Sequence, residues 1–423
     1  MHKITMLFSS KVMKNGVWLY ILQAFNTIVP MLTLPYITRI LGASGYGSFS
    51  FSLNLIGYFQ VIVEYGFNLS GSRKIATAKN KREVEKIYSA ITTSKIILCV
   101  VTFIMMILTY FLLDINKSQF NSMLILYLLV IGTSLQQTWL FQGLQDMKYI
   151  TIINVIARTL SLIMIFLFVK DSNDLYIYCA LYSMTFLING IISIIIIYKK
   201  LKIKYHIPRI KSVINEYKDG WYIFTTSAMS RIFSTFGITI LGITSTETNV
   251  GVFSAIQKIP LIIVMLFAPI GQVIYPLVSK FFIESFDKGI KSVQKICIIT
   301  MPIFILISLL LVFYSDSIIN LVFGKEYVPY SLLLIPLSCW MIVSILNNFL
   351  GIQIVVASGH QKEYSIAFRH SLIVLILFNI ILGFSFGLYG VAIATFVAEL
   401  VLTLSLVYQI KKIINVENTN LKY

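Results

Sequence analysis

Charged residues are scarce in this sequence. They make up 12% of its 423 residues, whereas hydrophobic residues make up 57%; a soluble domain has about twice that charged fraction. Long apolar runs recur from one end of the chain to the other, which excludes a soluble domain with one anchor and predicts a polytopic α-helical membrane protein. Because the runs are continuous and do not alternate with polar residues, they argue against a β-barrel.

Cysteines are also few, and they do not cluster. Each of the four lies singly in an apolar run: Cys99, Cys179, Cys297 and Cys339. Without a CxxC pair or a Cys/His cluster, we expect buried thiols and no disulfide framework. Neither a metal site nor a cofactor is predicted.

Catalytic motifs are missing as well. The sequence contains no G-x-S-x-G, no phosphate-binding loop and no HExxH. The loops predicted on the outer side are short, at residues 114–121, 170–174, 244–250 and 315–329. A membrane glycosyltransferase or a polysaccharide polymerase would need acidic residues or a folded outer segment, so we do not expect an enzyme.

The apolar runs divide into about twelve spans of about 20 residues each. Only the stretch from Gly383 to Gly390 separates the last two, and its glycines suit a tight turn; the alternative is a helix contact at Gly383 and Gly387. We predict an all-α polytopic membrane protein with two six-helix lobes around a central cavity. The spans begin near Val17, Tyr46, Ile87, Ser122, Ile150, Leu175, Trp221, Gly251, Ser292, Tyr330, Ser365 and Leu388.

The net charge is strongly positive, at +17. In a soluble protein this would suggest nucleic acid, but here Lys and Arg concentrate in one alternate set of loops. Orientation in the membrane and contact with anionic lipid explain that pattern, so no nucleic-acid partner is expected. The basic side is predicted to be cytoplasmic, and an even number of spans then puts both termini there.

The longest loop is a basic stretch near the middle of the chain, from Lys199 to Gly220. It could be a linker between two halves or a surface helix on anionic lipid, and the two roles are compatible. We expect an N-terminal lobe at 1–198, a linker at 199–219 and a C-terminal lobe at 220–423.

Residues 17–66 carry polar side chains within two apolar spans. Asn26 lies on a polar stripe of the first span, and Asn54 and Glu64 lie on the second. Because amides and carboxylates are costly to place against lipid, we expect these faces to look into the protein or a watery cavity. Arg39 lies at the joint, where it could line the cavity or anchor the chain at the outer interface.

Arg231 lies near mid-depth in the seventh predicted span. Ser227, Ser230, Ser234 and Thr235 surround it at helical spacing and form a hydroxyl-rich face. Because this position is too deep for the side chain to reach an interface, we predict that Arg231 lines the cavity.

Other basic residues within the spans have two interpretations. Lys258, beside Gln257, is predicted to line the cavity. Arg158 could line it too, or it could pair with Glu399 or with a group on another helix. Lys95 is expected to extend toward an interface.

Two acidic residues, Glu399 and Glu64, are candidate proton or sodium sites. Glu64 lies close to the predicted inner face, where it could instead be solvated.

Basic residues outnumber acidic ones at these intramembrane positions, which predicts an anionic substrate. Arginine suits phosphate through bidentate contacts, and the Ser, Asn and Gln side chains suit hydroxyl-rich cargo. A phosphorylated group cannot cross hydrocarbon unaided because its charge would lose its water. Arginines and hydroxyls in a cavity would replace that water.

The chain resembles the polysaccharide flippases of the multidrug/oligosaccharidyl-lipid/polysaccharide exporter superfamily, which translocate O-antigen and other repeat units. The stretches that carry the resemblance cover both halves in the family's order. They are LPYITRILGASGYG at 34–47, EYGFNLSGSRKIA at 64–76, FQGLQDMKYI at 141–150, VGVFSAIQKIP at 250–260 and LVFGKEYVPYSLLLIPLS at 321–338.

The resemblance implies twelve spans in two lobes, a V-shaped central cavity and alternating access in a bacterial inner membrane. It implies a substrate in which undecaprenyl pyrophosphate carries an oligosaccharide unit, with basic cavity residues on the pyrophosphate or on acidic sugars. Arg39 and Lys258 match family motif positions, whereas Arg231 and Arg158 are proposed from depth and neighbours. Implied partners are the lipid-linked oligosaccharide, membrane lipids, a polysaccharide polymerase and other assembly proteins.

A second interpretation keeps the architecture but changes the cargo. A cation-coupled exporter of small drugs would need buried carboxylates, and only Glu64 and Glu399 qualify. A third interpretation, a membrane polymerase or glycosyltransferase, is disfavoured by the short outer loops.

Overall fold

The computed structural model describes the backbone of residues 10–113 and 115–420, and this part of the chain is almost entirely helical. In chain order the helices are α1 (Ser10–Glu64), α2 (Phe67–Thr77), α3 (Lys81–Leu112), α4 (Lys117–Leu135), α5 (Thr138–Gly143), α6 (Met147–Phe168), α7 (Leu175–Ile196), α8 (Ile210–Thr244), α9 (Glu247–Ile256), α10 (Lys258–Glu284), α11 (Phe286–Phe313), α12 (Ser315–Val322), α13 (Leu334–Asn347) and α14 (Gln361–Asn420). A 3₁₀ segment at Lys325–Leu333 precedes α13, and π-helical turns at Ile197–Leu201 and Asn348–Val356 follow α7 and α13.

Two of these helices are double spans joined by a glycine. In α1 the backbone leaves helical geometry at Gly42 (φ 66°), and in α14 it does so at Gly387 (φ 56°). A positive φ is strained for residues with a Cβ, so glycine is suited to both turns. The tight turn predicted between the last two spans is therefore confirmed.

The helices are long and apolar enough to cross a membrane repeatedly. Nine helical stretches in the described residues meet that criterion, and two of them contain the glycine turns in α1 and α14. Counted on either side of those turns, the nine stretches account for eleven of the twelve predicted spans, whereas α8, at the predicted seventh span, has a more polar start and does not meet the criterion. The predicted fold class, an all-α polytopic membrane protein, is confirmed.

The chain forms two compact units, Met1–Thr235 and Phe236–Tyr423. The boundary between them falls inside α8. The lobes predicted at 1–198 and 220–423, with a linker at 199–219, stay a prediction.

Close helix packing in the first unit depends on two glycines. At Gly132 in α4, an added Cβ would lie 2.6 Å from the carbonyl oxygen of Phe186 in α7. At Gly190 in α7, an added Cβ would lie 2.7 Å from Leu135 Cβ. Small residues at such crossings let two membrane helices approach backbone to backbone.

The stretch after α7 lies against α3 within the same unit. The backbone N–H of Lys204 donates to Glu85 Oε1 (3.1 Å), and that of His206 donates to Ser89 Oγ (2.9 Å). These contacts satisfy backbone groups that no helix pairs, and they hold the basic stretch on the first unit.

The second unit has a core built on α10, α11, α13 and α14. Phe267, Trp340 and Phe349 are among its buried aromatic residues. Gly383 packs closely here, because an added Cβ would lie 2.6 Å from Ile240 Cγ2. Gly387 thus forms the turn, and an added Cβ there would have no described atom within 4 Å, so the helix contact proposed at both glycines is found at Gly383 alone.

Candidate functional site

The first unit contains a polar pocket of about 220 Å³. Its position within spans of the first unit makes polar walls expensive unless they bind water or a ligand. The lining residues are Leu22, Asn26, Glu64, Asn68, Lys95, Thr133, Gln136, Thr138, Ile150, Asn154 and Arg158.

Lys95 is a principal cation of this pocket, and the prediction that it extends toward an interface is wrong. The residue is only 3% exposed, and its Nζ donates to the backbone oxygen of Gln136 (2.8 Å). Because α4 ends at Leu135, the carbonyls around Gln136 lie at a helix C-terminus, where partial negative charge favours a cation. This end of α4 therefore holds the ammonium inside the protein.

Glu64 faces the same pocket from the end of α1 and is half-buried. Lys95 and Arg231 both attract its carboxylate. Glu64 is the acidic residue among those that line the pocket, which also include Lys95 and Arg158. With all three ionised the pocket carries net positive charge, which favours an anion.

Two polar atoms of this pocket lack protein partners. Neither Arg158 Nε nor Asn26 Oδ1 has a hydrogen-bond partner among the described residues, although both atoms are buried. Leaving a buried donor or acceptor unsatisfied costs about 1–3 kcal/mol, and more for a charged group. Water or a ligand in the pocket would supply the missing contacts.

Arg231 lies in a second part of the first unit, against the second span. Its Nη2 donates to the backbone oxygen of Asn54 (3.3 Å), and its guanidinium lies over the ring of Tyr58, 5.8 Å from the centroid. Gly57 makes room for the guanidinium, because an added Cβ would overlap Nη2 and lie 3.0 Å from Nε. Arg231 is half-buried, and its Nε is buried without a protein partner in the described part of the chain; its predicted place in a cavity stays a prediction.

The hydroxyl groups predicted around Arg231 do not bind its guanidinium. Ser234 Oγ and Thr235 Oγ1 each donate to the backbone oxygen of Arg231, at 3.0 and 2.9 Å. Such bonds within one helix satisfy the hydroxyl locally. The contacts of the guanidinium are instead with the Asn54 backbone oxygen and the Tyr58 ring.

Tyr182 interacts with both arginines, Arg158 of the pocket and Arg231. Arg158 and Arg231 both act electrostatically on this α7 tyrosine. We call Lys95, Arg158, Arg231, Glu64 and Tyr182 the cationic network. Its members come from α1, α3, α6, α7 and α8, so the sequence of any single span does not reveal the network.

The remaining predicted site residues are not members of that network, although the backbone oxygen of Asn54 accepts a hydrogen bond from Arg231. Arg39 is exposed, one turn before Gly42, and Asn54 is buried with its Nδ2 donating to Thr235 O (3.3 Å). In the second unit Lys258 is exposed and Gln257 is half-buried at the junction of α9 and α10. Their roles in a cavity stay predictions.

Glu399 lies in a separate buried polar chain of the second unit. The residue is 5% exposed, and its Oε2 accepts a hydrogen bond from Asn347 Nδ2 (2.6 Å). Asn347 Oδ1 in turn accepts one from Thr403 Oγ1 (2.8 Å). The described residues contain no group of three His, Cys, Asp or Glu side chains that could hold a metal ion.

Comparison with solved structures shows which known fold the chain has. The fold is similar to that of "Lipid II flippase MurJ, inward closed conformation" (TM-score 0.71, 17% identity, 94% of this chain and 87% of that chain). It is equally similar to an inward-facing multidrug resistance MATE family transporter of the MOP superfamily (TM-score 0.70, 14% identity, 93% and 99%). The molecule is therefore a multi-pass α-helical membrane protein with a transporter fold.

Sequence comparison gives the family. Residues 12–282 match the family described as "Polysaccharide biosynthesis protein", and the chain belongs to that family. It is 30% identical over 357 residues to the "Putative O-antigen transporter" of Escherichia coli K12, covering 83% of this chain and 85% of the relative. It is 24% identical to the "Capsular polysaccharide biosynthesis protein CapF" of Staphylococcus aureus, covering 95% and 99%. The resemblance drawn from the five sequence stretches is confirmed.

Proposed function

We propose that the protein is a flippase for polysaccharide precursors. In this proposal it moves undecaprenyl-pyrophosphate-linked oligosaccharide repeat units from the cytoplasmic to the outer leaflet by alternating access. The names of the E. coli and S. aureus relatives and the family membership support this class of cargo. As a transporter it would move its substrate chemically unchanged.

The cationic network is the observation that carries the proposal. A pyrophosphate that enters the membrane must exchange its water for other hydrogen-bond donors. Lys95, Arg158 and Arg231 are cations within the spans of one unit, and the two arginines keep unpartnered buried donors. Charge-assisted bonds from such groups are about twice as strong as neutral ones, so the network suits an anionic head group better than an apolar cation.

Position in the cell belongs to the same proposal. The basic side, which includes both termini, is placed in the cytoplasm by the positive-inside rule. The membrane would be the bacterial inner membrane, where the lipid-linked precursor is made. A polysaccharide polymerase and other assembly proteins would then receive the flipped unit.

A deletion strain tests the function. Without the gene, lipid-linked repeat units are expected to accumulate in the cytoplasmic leaflet, and surface polysaccharide is expected to disappear. Leaflet position can be measured in intact spheroplasts with a membrane-impermeant glycosidase or lectin. Normal surface polysaccharide in a strain with no second flippase gene would refute the proposal; altered drug sensitivity with unchanged glycan would favour a drug exporter.

Replacing Gly57 with alanine tests whether transport depends on the observed position of the Arg231 guanidinium. The new Cβ would overlap the guanidinium, and because a long side chain can move, the fold should persist while Arg231 leaves Asn54 and Tyr58. We expect transport to fall about tenfold, the equivalent of one charge-assisted hydrogen bond, as measured by restored polysaccharide in the deletion strain.

Two further variants make this test specific. Gly45→Ala, on the same helix, brings a Cβ no closer than 3.1 Å to Leu41 Cβ, and it should transport normally. The double variant Gly57→Ala/Arg231→Ala should be no worse than Arg231→Ala, because both changes act on one interaction. Wild-type transport by Gly57→Ala, or additive losses in the double variant, would show that transport does not depend on this position of the Arg231 guanidinium.

Ion coupling through Glu399 is a second part of the proposal, and Glu64 is the alternative coupling residue. Glu399→Gln keeps the shape and the contact with Asn347 but cannot exchange a proton or offer a full negative charge to sodium. Transport in proteoliposomes should then stop responding to an imposed ion gradient. Glu284→Gln, which removes an exposed carboxylate, is the control, and a gradient response that survives in Glu399→Gln would exclude this residue.

A further inference from the structure

A second pocket in the first unit lies apart from the cationic network. Its volume is about 330 Å³, and it opens between α2 and the segment that follows α5. The lining residues are Ser72, Arg73, Ala76, Gln142, Gly143, Gln145 and Met147. None of these residues has a role in the function proposed above.

Two of the family-like stretches meet to build this pocket. The stretch at 64–76 supplies α2, and the stretch at 141–150 supplies the facing wall. Gly143 allows the close approach, because an added Cβ would lie 2.6 Å from Ile75 Cβ and 2.8 Å from Ser72 O. Gly71 also allows a close approach, because an added Cβ there would lie 2.8 Å from the buried indole ring of Trp139. The lack of a side chain at these two glycines thus lets the two walls of the pocket pack closely.

The polar atoms of the pocket suit an anion. Arg73 is exposed and forms no ion pair with the described residues, whereas the adjacent Lys74 is bound to Glu216 (2.8 Å) and Asp219 (2.7 Å). Gln142 adds amide N–H donors, whereas the Ser72 hydroxyl donates to the backbone oxygen of Leu69 (3.1 Å). A guanidinium beside such donors matches the geometry of a phosphate group.

The surroundings strengthen the positive field. Lys148 and Lys200 both lie over the ring of Tyr149, at 5.0 and 5.4 Å from the centroid, and both are exposed. Asp146 is next in sequence to two of the lining residues but does not line the pocket itself. The pocket also has apolar walls from Ala76 and Met147.

We propose that this pocket binds the phosphate headgroup of an anionic membrane phospholipid. The guanidinium of Arg73 would hold the phosphate, and the apolar walls would face the glycerol and the start of the acyl chains. Leu69, which is 65% exposed on the same short helix, gives α2 an apolar surface suited to the bilayer interface. Basic groups at that interface attract anionic lipid. The bound lipid would therefore join α2 to the facing wall of the pocket.

Native mass spectrometry of the full-length protein tests the proposal. The protein would be purified in detergent, supplied with phosphatidylglycerol or phosphatidylcholine, and compared with Arg73→Gln, Arg73→Lys and Arg82→Gln. Arg82 is an exposed arginine in the first turn of α3, so its variant removes the same charge elsewhere on the same side. Size-exclusion profiles establish that each variant is folded.

Phosphatidylglycerol retained per chain should fall about five- to tenfold in Arg73→Gln, by the loss of one basic contact at the interface. It should be partly kept in Arg73→Lys and unchanged in Arg82→Gln. Equal retention by Arg73→Gln and wild type, equal losses in Arg73→Gln and Arg82→Gln, or equal retention of phosphatidylcholine would overturn the proposal. Displacement of the lipid by excess inorganic phosphate would assign the pocket to free phosphate instead. Since retention is measured without transport, the result is independent of the proposed flippase activity.

Discussion

Replacing Arg231 with alanine is expected to lower transport about ten- to hundredfold while the protein still inserts and accumulates in the membrane. In the described structure the guanidinium donates to the backbone oxygen of Asn54 and lies over the ring of Tyr58, and its Nε has no hydrogen-bond partner there. Structural losses should therefore be small. The loss for an anionic head group should be large, because a hydrogen bond to a charged group contributes about 1.5–3 kcal/mol, or about ten- to hundredfold in rate.

Surface polysaccharide in the complemented deletion strain measures this loss, and membrane immunoblots measure accumulation. Arg231→Lys should be partly active, since it keeps the charge but loses the planar, forked geometry. Lys211→Ala is the matched control, because it removes an exposed cation from the first turn of the same helix. Full activity of Arg231→Ala would take this residue out of the substrate path.

The largest expected structural effect follows from Gly132→Ala. Its Cβ would meet the backbone of Phe186 and Leu187, with the Phe186 oxygen at 2.6 Å. Unlike a side-chain tip, the α7 backbone cannot move aside without disturbing the neighbouring Gly190 contact. Overpacking of this kind costs about 3 kcal/mol, so we expect much less protein in the membrane and a lower unfolding temperature in detergent.

A control on the same helix separates this effect from substitution in general. Leu124 is 39% exposed on α4, where a side chain faces lipid, and Leu124→Ala should accumulate normally. The Gly132 contact would be refuted as a packing requirement if Gly132→Ala accumulated and melted like the wild type.

The spans and their glycine turns could be predicted from the sequence because they depend on local properties. Hydropathy over about 20 residues marks a span, and a glycine cluster such as that around Gly387 marks a break. The depth of Arg231 in the membrane, inferred from its position along the predicted span, stays a prediction. These inferences need no knowledge of which helix contacts which.

The partners of the cationic network could not be predicted in this way. Periodicity shows that Gly57 and Arg231 lie on polar faces, but not that the glycine of the second span makes room for the arginine of the seventh. Lys95 was misread for a related reason. Its acceptor, the Gln136 carbonyl, is available because α4 ends at Leu135, and the only sequence signal was the polar pair Gln136 and Gln137 within an apolar run.

The most direct test of the proposed cationic network measures head-group selectivity in proteoliposomes. Two lipid-linked oligosaccharides with the same sugars, one joined through pyrophosphate and one through an uncharged linker, would be compared for their rate of appearance in the opposite leaflet. The wild type should favour the pyrophosphate form, and Lys95→Gln/Arg158→Gln/Arg231→Gln should lose that preference. Equal rates for both lipids with the wild type, or an unchanged preference in the triple variant, would contradict a role of these cations in receiving the head group.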